Sequence, residues 1–389
     1  MQILNSSLFG IFQKLKAGLR GQDVYLKEPA KTPKSFLFSL IFLTGLFGLI
    51  FIGFLIDQDR RIKGRYEERL TGVIYNFEQA KSLVDLNPLR ARELAVQAQE
   101  VAQKLASEDI KDKRLTKLVE EINLFLPEIL GEYRVSPNLL LDLGLIQEGL
   151  RVGGVTSSED GVVVLDTQNK ILVGFRTDGK NVRVLAGPPD IPQAKFAALM
   201  AGVKNRVFVV DGQRIVEATE GIRTVVLSEG RWVDATLIGG YGGNLYVLDP
   251  GLGQIWRYLG AGDKFGPAEE WLEEEEYLTG VLSMAIDGSI WMLEEDGTIK
   301  RYIQGKRAAF LAKFTAKETS GAIQILTDGD KQNLYLLFPK RVVVLDKKGE
   351  YKAQYFWEGI EARWIAVSER LGKLLVFSES KVYEVELKM

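Results

Sequence analysis

The residues of this chain able to do chemistry are carboxylates, arginines and a few glycine runs, because its 389 residues include no histidine and no cysteine. That removes Ser-His-Asp triads, thiol nucleophiles and zinc sites built on Cys or His. The densest acidic run is Glu269-Glu270-Trp271-Leu272-Glu273-Glu274-Glu275-Glu276. Calcium favours several carboxylates, but neighbours in one segment seldom converge on one ion, so a solvated outer strand or loop is expected. Thr327-Asp328-Gly329-Asp330 begins like a calcium loop, lacks the later bidentate glutamate, and reads as a turn. Acidic residues recur at Asp166, Asp211, Asp249 and Glu294, each closing a short apolar strand. A turn-forming role is expected for them; lining a shared surface is the functional alternative.

Gly239-Gly240-Tyr241-Gly242-Gly243 and Gly251-Leu252-Gly253 are glycine-rich enough to suggest phosphate loops. Neither is followed by a helical pattern, so the nucleotide-binding context is missing and strand-connecting turns are expected. Arg231-Trp232 and Arg363-Trp364 each stand just before an alternating strand pattern. Arginine and tryptophan are enriched at binding hot spots. These four, grouped with Thr279, are the candidate binding residues, and packing between structural repeats is the plainer reading. No cofactor and no metal ligand is assigned.

The elements that must position these residues follow from a repeat. From residue 150 the hydrophobic period becomes alternating, and an apolar anchor recurs at Val162–Leu165, Val207–Val210, Leu245–Leu248, Ile290–Leu293, Leu334–Leu337 and Leu374–Phe377. The anchors start 45, 38, 45, 44 and 40 residues apart, which is propeller spacing. A turn and a second strand follow each anchor, with Asp211-Gly212 and Asp296-Gly297 suited to tight hairpins. In the fourth unit the strands are expected at 281–286, 290–293, 299–303 and 308–314. Six anchors predict a mainly β chain with a six-bladed propeller over 138–389. The last unit lacks an outer strand, and residues 138–146 form a surplus strand that can fill the gap and close the ring.

Before the propeller lie two other regions. Phe36–Ile56 is 21 residues without a charge, enough for a helix spanning roughly 30 Å of bilayer core. The 35 residues before it, and the absence of a small-residue cleavage pattern after it, argue against a signal peptide. Basic residues flank the segment on both sides, so the charge rule is nearly balanced. The expectation is a single-pass plasma-membrane protein with residues 1–35 cytoplasmic and the propeller extracellular or periplasmic. Residues 8–20 suit either a basic amphipathic helix on the membrane or a plain tail. Residues 57–131 carry helical stripes and read as a stalk or hairpin, with Asn87-Pro88 starting one helix and Asp112 preceding another.

The repeat resembles NHL, TolB and related six-bladed propellers. Ser283–Leu293 with Asp296–Tyr302, and Leu86–Leu94 in the stalk, resemble membrane-anchored bacterial proteins. Those join a cytoplasmic PP2C-type phosphatase domain to a transmembrane helix, a helical stalk and an external propeller. Only 35 residues precede the membrane segment, so phosphatase activity does not carry over, and a separately encoded cytoplasmic signalling partner is the corresponding expectation. Two functions stand. The first is a non-catalytic sensor that binds a protein, peptide or envelope ligand while Phe36–Ile56 sits in the lipid bilayer. The alternative is a calcium-dependent hydrolase or lactonase, since six-bladed gluconolactonase-type enzymes hold calcium in the central channel. The net charge of −2 offers no basic excess for nucleic acid.

Overall fold

The computed structural model describes residues 34–108, 110–313 and 319–388; the segment 8–20 and the N-terminal residues up to 33 lie outside them. Six sheets make up the β region, and they form a six-bladed propeller. Blades one to four are four-stranded meanders in chain order, from Gly154–Ser157 to Lys306–Ala308. The inner strands are Gly154–Ser157, Ala194–Met200, Leu237–Tyr241, Val281–Ile286, Gln324–Leu326 and Trp364–Ser368. Each anchor is the second strand of its blade and is buried on both faces. In blade one Val162 and Val164 enter a core shared with blade six, whereas Val163 and Leu165 enter one shared with blade two. Four more such cores lie between the remaining neighbours. Burial on both faces is why the anchors read as unbroken apolar runs rather than alternating ones.

Blade six takes its outer strand from Asn138–Asp142, which pairs antiparallel with Lys381–Glu386. The strand is shorter than the segment 138–146: Asp142 accepts from Gly144 N–H at 3.0 Å and caps a 3-10 turn at Leu143–Leu145. Blade five carries a fifth strand, Glu132–Arg134, laid parallel on its outer strand Tyr351–Phe356. The outer strand of blade four is Lys306–Ala308, not 308–314. The apolar stretch after it leaves the sheet, and Phe310 packs edge-on against Trp291 at 4.9 Å.

The chain divides into two compact units, Met1–Val73 and Ile74–Met389. One helix, Lys34–Leu83, runs through the boundary. Within the first unit, positions 38–56 are all exposed, and this helix is long and apolar enough to cross a membrane. Charged i,i+4 pairs, Asp57–Arg61 at 2.8 Å and Asp59–Lys63 at 2.7 Å, continue the helix past the apolar stretch.

In the second unit, Pro88–Ala106 starts at Asn87, whose side chain accepts from Arg90 N–H at 3.2 Å. Lys113–Leu130 is capped by Asp112 and ends at Gly131, which takes the left-handed conformation (φ 69°). A Cβ at Gly131 would stand 2.6 Å from the Lys352 carbonyl oxygen, so only glycine lets the helix end this close to blade five. Arg92 fastens the helices to the same blade. Its guanidinium donates to the carbonyls of Tyr351 (2.7 Å) and Lys352 (2.5 Å) and lies 4.7 Å from the Tyr351 ring centre.

Candidate functional site

The six inner strands surround a central channel with a cavity of about 390 Å³. In a propeller these strands present backbone edges to the channel, and unmet edge groups are costly. Here side chains of neighbouring blades meet several of them. Thr156 Oγ1 accepts from Leu199 N–H at 2.9 Å, joining blades one and two. Ser283 Oγ exchanges hydrogen bonds with the Ile325 backbone at 3.2 Å, joining four and five. Gln324 accepts from Ile365 N–H at 2.7 Å, joining five and six. Where blade three meets its neighbours the device is close packing. A Cβ on Gly239 would lie 2.6 Å from Ile286 Cδ1, and one on Gly240 2.9 Å from Met200 Cβ. Gly239 and Gly240 are therefore strand residues, and only Gly242 and Gly243 form the turn.

The two ends of the channel differ. We call upper the end where the inner strands begin. The connections entering them are held by the recurring aspartates, so the turn-forming expectation needs extending. Asp166 accepts from Gln168 and Asn169 N–H in its own turn, and from Arg151 N–H at 2.8 Å in the connection entering blade one. Asp211 takes Gln193 N–H, and Asp249 takes Val233 and Asp234 N–H, in the same way. Burial would raise the Asp166 pKa, but the donated hydrogen bonds outweigh it and hold the carboxyl below its ordinary value. Glu294 instead pairs with Lys300 at 2.6 Å.

At the lower end the inner hairpin turns carry matched charge. Lys331 has a fully buried side chain, paired with Asp328 and, at 3.4 Å, with Glu159. Glu159 reaches from blade one to blade six, accepting from Ser368 Oγ at 2.8 Å and from Glu369 and Arg370 N–H. Burial pushes the Glu159 pKa up, but Ser368, the Lys331 charge and the two backbone donors leave it below the usual glutamate value. Lys347 pairs with Asp287 at 2.8 Å and donates to the Asp328 carbonyl. The Tyr241 side chain approaches both Gly288 and Gly329, where added Cβ atoms would lie 3.2 Å from it.

The candidate residues separate accordingly. Trp364 lines the channel, and Arg363 beside it is exposed. Trp232 turns inward: it is 3 % exposed, and its indole N–H donates to Tyr258 Oη at 2.8 Å in the core between blades two and three. Burial raises the Tyr258 pKa to about 12, against the pull of that hydrogen bond. Arg231 and Thr279 are exposed on upper connections, apart from Trp232's packing role. Sequence reading missed Lys195, exposed in the inner strand of blade two and lining the channel, and Arg151. A signal existed: Arg151, Thr279 and Arg363 each stand eleven residues before the anchor of their blade, and Lys195 twelve. The extra residue in blade two coincides with a register shift between Ala194 and Phe196.

Among the described residues, no group of three or more carboxylates stands placed to hold a metal ion. The acidic run continues from the outer strand Lys264–Glu270, where Glu269 pairs with Arg257 at 2.7 Å, into an irregular connection.

No protein-family model matches the chain, and no curated relative matches it. Its structural neighbours are propeller proteins. A gluconolactonase from Xanthomonas campestris is 14% identical, with 65% of this chain and 90% of that one covered at a TM-score of 0.46. Regucalcin, a calcium-binding protein from Agrobacterium tumefaciens, is 12% identical over 66% of this chain and 95% of its own, at 0.45. Ycf48, bound to the D1 peptide, is 10% identical over 66% and 97%, at 0.44. This likeness is one of fold, and the chemistry has to be read from the chain's own residues.

Proposed function

We propose that this chain is a non-catalytic binding module, in which the upper end of the propeller channel receives a ligand or partner and the helix Lys34–Leu83 anchors it in a membrane with the propeller outside the cytoplasm. The observation that carries the reading is the division of labour among polar groups. Thr156, Ser283 and Gln324 are engaged between blades, and the channel's carboxylate, Asp328, is engaged by Lys331. The upper rim keeps Trp364 and exposed cations free of ion pairs among the described residues. A wall whose inner-strand polar groups are largely engaged, with the Ser157 and Thr236 hydroxyls left over, under an aromatic and cationic rim suits recognition.

Two experiments test it. Purified full-length chain in detergent is offered esters, lactones and phosphoesters with and without calcium; no turnover is expected. Calcium-dependent turnover abolished by Asp328→Asn would replace this reading with the hydrolase one. Protease added to spheroplasts should digest the propeller and spare an N-terminal tag; a propeller protected until lysis would reverse the orientation.

A further inference from the structure

We propose that the upper mouth binds a small carboxylate with an aromatic or other apolar body. Arg363, Arg151 and Lys195 would hold the carboxylate, while Trp364 and the channel wall receive the body. The inference rests on the binding-module reading and names its ligand.

The first ground is the placement of charge. Arg363, Arg151 and Lys195 enter three consecutive blades, six, one and two. All three are exposed, and none makes an ion pair among the described residues. Each adjoins or belongs to the channel lining: Arg363 precedes Trp364, Arg151 stands two residues before Gly153, and Lys195 is itself a lining residue. Acidic residues occur in the same connections, but further upstream. Glu361, Glu148 and Asp190 stand two, three and five residues before the respective cations, so the cation is the member of each pair nearer the inner strand. The rim is also preorganised, because buried Asp166 and Asp211 fix the backbone at Arg151 and at Gln193. A prepositioned rim loses less freedom on binding.

The second ground is the shape and chemistry of the cavity. About 390 Å³ accommodates a ring with a short chain and not a folded domain. Val155, Leu237, Leu282 and Met284 contribute apolar wall, and Trp364 offers an aromatic surface. Arginine's planar fork matches a carboxylate. A cationic ligand gains nothing comparable, because the carboxylates at the far end, Asp328 and Glu159, are already satisfied by Lys331.

The test uses the full chain in detergent micelles and calorimetric titration with three matched probes: 3-phenylpropionate, 3-phenylpropan-1-ol and 3-phenylpropylamine. Phenylpropionate should bind one per chain, about tenfold or more tighter than the alcohol, the ratio expected of one or two charged hydrogen bonds. The amine should not bind, and added salt should weaken the carboxylate selectively. Lys195→Glu and Arg363→Glu should each cut phenylpropionate affinity about tenfold and leave the alcohol unchanged. Trp364→Ala should weaken both. Thermal melts of every variant show whether the ring is intact. Equal affinity for carboxylate and alcohol would overturn the anion assignment while leaving a binding channel, so this failure differs from the turnover that would sink the binding-module reading. Unchanged phenylpropionate binding in both folded charge-reversal variants, or no binding by any probe, would also overturn it.

Discussion

Upper and lower mouths of the channel are made by the same six blades, yet their charges are used in opposite ways. Below, Lys331 is fully buried and answered by Asp328 and Glu159, and Glu159 is in turn answered by blade six. Above, Arg151, Lys195 and Arg363 are exposed and unanswered within the described chain. The difference teaches how to read a charge in a symmetric fold. A buried ion must be matched or the fold fails; an exposed, prepositioned ion adds little to stability and remains available to a ligand.

The largest expected effect comes from removing the strand that completes blade six. A chain beginning at residue 147 loses Asn138–Asp142 and Leu143, and Leu143 is completely buried in the core between blades six and one. With Leu140 and Leu141 packed against that core, two or three aliphatic side chains at roughly 1.5–3 kcal/mol each are lost. It should melt far below a chain beginning at 137, or aggregate. Equal melting temperatures would mean that the core shared by blades one and six and the Glu159 contacts hold the ring closed without this strand.

Lys331→Ala comes next. It leaves the half-buried carboxylates of Asp328 and Glu159 without their shared cation and should cost about 3 kcal/mol, read as a fall in Tm of about 6–12 °C. Phenylpropionate binding by the folded fraction should not change. A mild effect on stability would erase the distinction between the two mouths.

Trp232→Phe and Arg363→Gln separate two Arg-Trp pairs that look alike in sequence. Losing the hydrogen bond to Tyr258 should cost about 1 kcal/mol in a urea titration with no change in ligand affinity. Arg363→Gln should stay within about 0.5 kcal/mol of the parent and act only on binding. A reversed pattern would exchange the roles assigned to the pairs.

The smallest effect is a pH dependence. Glu217 is hydrogen-bonded by Arg206 and Arg223, and despite burial its pKa falls from 4.5 to about 2. Its stabilisation is therefore complete above the ordinary glutamate value and fades as pH drops towards about 2. The difference in urea midpoint between parent and Glu217→Gln should be constant from pH 7 to about 5 and narrow below that. Glu159→Gln should narrow in the same direction. A gap that widens on acidification would contradict both assignments.

The ring was legible because its anchors are buried on both faces, so six apolar runs survive in the sequence whatever the loops do. Outer strands are half exposed and leave weaker marks. In blade four Ala308-Ala309-Phe310-Leu311 reads as more strand-like than Lys306-Arg307-Ala308, yet Phe310 is apolar because it covers Trp291 after the strand has ended. The rim was half legible. Arg363 is adjacent to its inner strand, so proximity to the channel follows from position. Trp232 stands five residues before Leu237, and that slack lets it fold back into the core. Lys195 lies inside a strand, where an exposed lysine is ordinary, and only alignment of the blades reveals that it occupies the rim.

The outer strand of blade six has a consequence in time. Leu139 pairs with Tyr383, and the ribosome makes about 5–20 residues per second. The first partner therefore waits on the order of ten to fifty seconds for the second to be synthesised. Throughout that interval blade one has no neighbour on one side, and the Val162 and Val164 side chains face water or a chaperone. If the apolar helix has already entered a membrane, the growing propeller spends the wait tethered beside a lipid surface, where an open apolar sheet has competing partners. Slowing synthesis over the last blade should therefore lower the yield of closed rings more than slowing it over the first.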